Sequence, residues 1–245
     1  MAASQGKRSM SPDLVSVVTP FFNTRRFLAE AIESVLAQSY RPIELLLVDD
    51  GSTDGGGDVA ARFTETAPNV SLIRLPHNQG QSKARNVAVQ QSRGTYVTFL
   101  DADDVMLPDR VAFQVDYLAA HAGVDVLIGS AEYFLEPGVA PPEWLQNRVV
   151  PGQNHRHNPM TMMARREVFV RVGPFDPSFE NGEDTEWVFR AVSAGMVVAR
   201  TDRVLMRHRI HGANLTYQAA PIREAVRRIV LRSVRERLAA HRGGT

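Results

Sequence analysis

TYVTFLDADD, residues 95–104, sets a short apolar run directly before a cluster of acids. Tyr96, Val97, Thr98, Phe99 and Leu100 have the β-prone pattern of a strand buried on both faces. Asp101, Asp103 and Asp104 follow at once, and Pro108 bars the strand from continuing. In an open α/β sheet, ligands bind just beyond the carboxyl ends of the strands, and acids gathered there need a cation to be tolerable. Asp101 and Asp103, two apart in an extended segment, point the same way and can share one hard divalent metal. The plainer reading is a solvated acidic turn that caps a helix beginning near Asp109. DADD alone does not choose between them.

Upstream, residues 14–19 (LVSVVT) read as a strand stopped by Pro20. Phe27, Leu28, Ala31, Ile32, Val35 and Leu36 then repeat at helical spacing, with Asn23 or Thr24 as the N-cap and Pro42 closing the connection. Residues 43–48 (IELLLV) are a second buried strand, again ending in acids, Asp49 and Asp50. Gly51 and Gly55 to Gly57 permit a tight turn into a helix over 58–66. A third strand covers 70–75, and a helix over 81–91 is ended by Gly94. Beyond the acids come a helix over 109–120 and a strand over 125–130. Strands alternating with helices at this spacing mean parallel βαβ units, hence an α/β sheet.

The second half is less regular. Five prolines between Pro137 and Pro159, with His155 and His157, predict a long loop, of a length that tends to be functional or mobile. Short helices are predicted over 165–172 and 184–194, short strands over 196–199 and 204–206, and a long Arg-rich helix over 222–240. That helix carries an apolar stripe. It reads either as docked on the sheet edge or as a peripheral contact with an anionic membrane. Residues 1–13 read as a disordered leader.

Composition narrows the function classes. A chain of 245 residues can bury a substantial core, and 44% apolar with 22% charged residues is ordinary for a soluble protein. No stretch is long and apolar enough to cross a membrane, and no signal peptide opens the chain, so a cytoplasmic location is expected. Cysteine is absent, which excludes disulfides and thiolate metal sites and leaves oxygen or imidazole ligands. A net charge of +1 gives no sign of a nucleic-acid binder.

Six segments in order, VSVVTPFFN, ELLLVDDGSTDG, NQGQSKARNVAV, GTYVTFLDADD, RVGPFD and GEDTEWVFRA, resemble the family 2 glycosyltransferases of the GT-A fold. The resemblance covers residues 14–217. It implies a Rossmann-like α/β fold with a central, mainly parallel mixed sheet flanked by helices. The expected domain is 14–217, with a nucleotide-binding half at 14–130 and an acceptor half at 131–217, followed by the C-terminal helix region 218–245. The implied reaction is inverting transfer from a nucleotide-sugar, with a UDP-sugar favoured, to a glycan, lipid-linked or small-molecule acceptor.

The resemblance assigns Asp101 and Asp103 to a Mg²⁺ or Mn²⁺ ion bridging the diphosphate, with His211 completing the metal shell. His208 stays as a rival. Thr19 and Phe21 are placed against the base, where the Phe21 ring can stack, although Phe21 and Phe22 also suit a core. Asp50 matches the acid that accepts a hydrogen from uracil, while Asp49 braces the turn. Lys83 and Arg85, at a helix start, are placed to meet phosphate or base, or else lie on a solvated helix face. Asp184 takes the role of general base, against a plainer reading of Glu183 and Asp184 as helix-capping acids. Trp187 is read as acceptor floor or as core. A scaffold that binds nucleotide without turnover is the alternative function. A dehydrogenase is a poor fit, because no G-x-G-x-x-G follows the first strand.

Overall fold

The computed structural model describes residues 12–146, 155–179, 181–214 and 227–228. Strands β1 (Val15–Phe21), β2 (Ile43–Asp49), β3 (Val70–Arg74) and β4 (Tyr96–Phe99) form a parallel block in the order β3-β2-β1-β4. Every residue of β1, β2 and β4 is buried, as expected of central strands covered on both faces. Crossovers are made by α1 (Arg25–Leu36), α2 (Gly56–Thr66) and α3 (Gln81–Gln91). One face of the sheet packs on α1, α2 and α4 (Arg110–Ala120) through Leu28, Ile32, Ala60, Val111 and Leu118. The other face packs on α3, α6 (Arg166–Val172) and α7 (Glu183–Ser193) through Ala84, Ala88, Phe169 and Trp187.

The sheet then turns mixed. The antiparallel strand β8 (Met163–Arg165) joins β4 to β6 (Val126–Leu135), and β9 (Val198–Ile210) runs parallel to β6. Two short strands flank them: β5 (Val105–Met106), antiparallel to β9, and β7 (His155–His157), antiparallel to β6. One continuous sheet therefore serves both halves of the chain, and β6 crosses residue 130.

Several expectations need correcting. β1 does not stop at Pro20 but runs to Phe21. Its pairing with β4 ends at Val18 opposite Phe99, so no ladder bond is asked of the missing Pro20 N–H. The two short strands near 196–206 are one strand, β9. Its polar stretch around Thr201 and Asp202 reads as a loop and bulges out of the β6 ladder, which pairs Ile128 with Arg200 and resumes at Ser130 opposite Val204. The Pro-rich loop is not structureless: it contains α5 (Glu143–Gln146), β7 and a 3₁₀ turn at Pro159–Thr161. β5 and β8 were not predicted, because two or three residues are too few for a period to show.

The Arg-rich C-terminal helix and most of the leader lie outside the described residues. Within the C-terminal region, Arg227 and Arg228 are helical. Arg228 donates to the Ser178 carbonyl at 3.1 Å and lies 4.5 Å over the Phe179 ring.

Candidate active site

The acids after β4 sit in a turn, not in the extended segment expected from sequence: the Asp104 N–H donates to the Asp101 carbonyl at 3.1 Å. Asp101 and Asp103 consequently have different neighbours. Oδ1 of Asp101 accepts from Gln81 Nε2 at 2.9 Å and from Arg85 Nη2 at 2.6 Å. The other terminal nitrogen of Arg85 donates to Glu183 Oε1. Arg85 is 1% exposed, so the solvated-face reading fails for it, and its fork binds two carboxylates of the protein itself. Lys83, on the same helix, is exposed.

Asp103 faces the end of β9. His211 Nε2 lies 3.0 Å from Asp103 Oδ2, and Asn214 Nδ2 donates to the same oxygen at 3.3 Å. The His211 ring also rests against Phe27, with ring centroids 4.7 Å apart. Burial alone would raise the pKa of Asp103, but the His211 hydrogen bond and the charge of His208 hold it below the ordinary carboxylate range. His208 is committed elsewhere, since its Nδ1 lies 2.8 Å from Asp104 Oδ2. Burial pushes Asp104 up to about 6 against the attraction of His208. Burial acts to lower the pKa of His208, but the charge and hydrogen bond of Asp104, with the charges of Asp103 and Asp101, together carry it up to about 9.

Asp101, Asp103 and His211 offer two hard carboxylates and one borderline imidazole, a donor set that Mn²⁺ accepts and whose carboxylates also suit Mg²⁺. Asp103 and His211 already converge, whereas Asp101 is drawn toward α3. Among the described residues no three acidic or imidazole side chains close on one point.

At the nucleotide side, Asp49 Oδ1 accepts from the Ser52 N–H at 2.8 Å and braces the turn after β2. That turn needs Gly51, whose φ is 79° and whose added Cβ would come 2.7 Å from the His77 backbone. Asp50 is buried, and its two oxygens accept from the Gln79 and Gly80 N–H groups at 2.8 and 2.9 Å, tying this turn to the start of α3. Thr19 Oγ1 is buried at the end of β1 and has no hydrogen-bond partner among the described residues. Phe21 departs from expectation. It is 3% exposed and belongs to the core with Leu28 and Ala60, so no open ring face is offered to a base. The exposed member of the pair is Phe22, at 43%.

On the opposite side, α7 opens after Gly182, whose φ is 75°. Glu183 turns to Arg85, and burial pushes it up to about 7 despite that cation. Asp184 takes a different direction: its Oδ1 accepts from the Thr185 N–H at 2.5 Å and from Thr185 Oγ1 at 3.1 Å. Burial raises its pKa above the ordinary aspartate value, with the charge of Arg85 acting against the rise. Thr185, Val188 and Phe189 line an open cleft of about 230 Å³ together with Ile128, Pro159 and Arg200. Trp187 is core, fully buried, stacked on Phe169 and donating to the Gly173 carbonyl at 2.9 Å.

Sequence reasoning missed Gln81, Asn86 and Asn214. Asn86 clamps the loop before α7, exchanging two 2.8 Å bonds with the backbone of Phe175. Its signal was available: a polar residue on the buried side of α3, between Ala84 and Ala88.

The sequence profile described as glycosyl transferase family 2 matches residues 16–173. The chain belongs to that family. An uncharacterized glycosyltransferase of Nostoc is 33% identical over 218 residues, covering 84% of this chain and 67% of the relative. An uncharacterized glycosyltransferase of Haemophilus influenzae is 38% identical over 109 residues, a match that spans 44% of this chain and 44% of the relative. Two solved structures share the GT-A fold. A mannosyltransferase from Pyrobaculum calidifontis, in complex with GDP-Man and Mn²⁺, aligns with a TM-score of 0.69 at 21% identity, over 94% of this chain and 68% of its own. TarS 1–349 of S. aureus, in complex with UDP, aligns at 0.64 and 21% identity, over 80% and 60%. In this family 2 chain the mostly parallel sheet bears the acid turn at the carboxyl end of β4, as the fold class predicts.

Proposed function

We propose that this family 2 glycosyltransferase transfers a sugar with inversion from a nucleotide-diphosphate sugar, a UDP-sugar in the first instance, to an acceptor hydroxyl. The observation that carries this reading is the Asp101–Arg85–Glu183 contact. It brings two acidic segments, remote in sequence, to one place, and Thr185, the residue after Asp184, lines an open cleft. The UDP and GDP-Man complexes of the two structural relatives support a nucleotide donor, and the Mn²⁺ of one supports a divalent ion.

Asp101, Asp103 and His211 would hold that ion. When bound, it offsets the charge on the departing diphosphate. In a single displacement the acceptor oxygen forms a bond to the anomeric carbon as the bond to the diphosphate oxygen breaks. The acceptor proton passes to Asp184, whose raised affinity for protons suits it to the task. Donor hydrolysis by the same base is avoided if the acceptor fills the cleft along Thr185, Val188 and Phe189.

Calorimetry tests the reading. UDP is expected to bind with Mn²⁺ or Mg²⁺ and to lose affinity in EDTA, and Asp103→Ala should weaken metal-dependent binding at least about tenfold. Equal affinity in EDTA and in Mn²⁺ would remove the metal from the proposal. Tight metal-dependent binding with no turnover of any nucleotide-sugar would favour the scaffold alternative.

A further inference from the structure

We propose that Arg85 is a positioning residue that holds the first turn of α7, and with it Asp184, against the acid turn after β4. It acts through Glu183 on one side and Asp101 on the other. The brace stands on geometry alone; what Asp184 does there rests on the function proposed above.

A guanidinium presents paired N–H edges in a fixed plane, so one arginine can set two carboxylates at a defined separation, which a flexible ammonium cannot do. Arg85 is suited to this because its own mounting is rigid. α3 is tied at its start by the bonds of Asp50 to Gln79 and Gly80, and one residue beyond Arg85 by the Asn86 clamp on Phe175. The Phe175 ring centroid lies 5.9 Å from the guanidinium carbon and helps to exclude water.

The start of α7 is also tied through Glu186, whose partner Arg190 donates to the Val172 and Pro174 carbonyls. Its cap is Gly182, with no side-chain capping bond, and the Trp187 indole bond fixes the helix about a turn further on. Glu183 is the first residue of that helix, joined to Asp184 by one planar peptide. Any displacement of Glu183 therefore carries Asp184 with it. A base misplaced by about 1 Å can cost on the order of 10²-fold in rate. The competing reading, a buried ion pair that only stabilises the fold, is weak on general grounds. Desolvation of buried charges offsets most of their attraction, and apolar side chains would serve as well.

The experiment compares Arg85→Gln, Glu183→Gln and the double variant with the wild type by steady-state kinetics, UDP calorimetry and hydrogen–deuterium exchange. Each single variant should lower kcat at least about tenfold while UDP affinity stays within about threefold, and the double variant should be no worse than the poorer single one. Exchange at the amides of residues 183–187 should quicken in Glu183→Gln. A purely structural role would lower the melting temperature and leave kcat per folded molecule intact, which would overturn the proposal. Loss of UDP affinity with kcat retained would also overturn it, by making Arg85 a donor ligand. If Arg85→Gln does not fold, Glu183→Gln decides, since it keeps the shape of the side chain. If the wild type turns over no donor, the proposed function falls, and exchange alone decides the brace: faster exchange supports it and unchanged exchange sinks it.

Discussion

Two adjacent acids at the start of α7 differ in where they point, and the proposed function gives them different work. Glu183 is held by Arg85, while Asp184 accepts only from Thr185 among the described residues. Asp184→Asn is expected to keep UDP binding and lower kcat by at least about 10²-fold, the lower end of general-base contributions. That loss should exceed the loss in Glu183→Gln; the reverse order would identify the wrong acid. A pH profile adds a second check. A base must be ionised to act, so activity rises with pH through its pKa. Because burial raises the pKa of Asp184, the acid limb of kcat should lie above the range of an ordinary aspartate. A limb at the ordinary aspartate value would contradict the placement of this group.

At the scale of elements, α3 links the two sides of the site. Its start is bound to the turn after β2, Gln81 and Arg85 reach the turn after β4, and Asn86 fastens the loop that leads to α7. Asn86→Ala would leave both backbone groups of Phe175 buried without partners. A stability loss of about 2–4 kcal/mol is expected, because each unsatisfied group costs about 1–3 kcal/mol. Urea denaturation can measure it as a lower midpoint at unchanged slope. A loss under about 0.5 kcal/mol would show that the loop is held by other contacts. The β6–β9 pair shows a different dependence on element context. Gly129 sits at the register shift, where an added Cβ would lie 2.3 Å from Leu205 Cδ1. Gly129→Ala should therefore cost about 1–3 kcal/mol through overpacking, read from the same denaturation curves.

Across the whole molecule, β9 returns to the acids that follow β4. Asp104 accepts from the Arg209 N–H at 2.9 Å and pairs with His208, so β9 is secured to the turn independently of His211. This pairing makes stability depend on pH with a definite sign. Unfolded His208 loses its proton near 6.5, whereas the folded protein keeps it up to about 9. The folded state then binds more protons, so stability falls as pH rises through that window. Asp104, raised to about 6 from 3.8, acts in the same direction at lower pH, and the two windows do not overlap. The loss between pH 6.5 and 9 should be on the order of 2 kcal/mol, and His208→Gln should flatten it. A curve equally steep in His208→Gln would place the titration elsewhere.

The parallel block was legible in the sequence because its strands and helices are long enough to show their period. Residues 43–48 and the apolar spacing from Phe27 to Val35 needed no tertiary information. The acids at the strand ends and the pair at 183–184 were also visible, since carboxylates beside β-prone runs or glycines stand out in one dimension. The tertiary structure decided which atoms those acids meet. The burial of Arg85 between Asp101 and Glu183, the core position of Phe21 and the division of His208 and His211 between Asp104 and Asp103 depend on contacts between distant segments. Short strands such as β5 and β8 exist only because a neighbouring strand supplies their hydrogen bonds, and local sequence carries no trace of that partner.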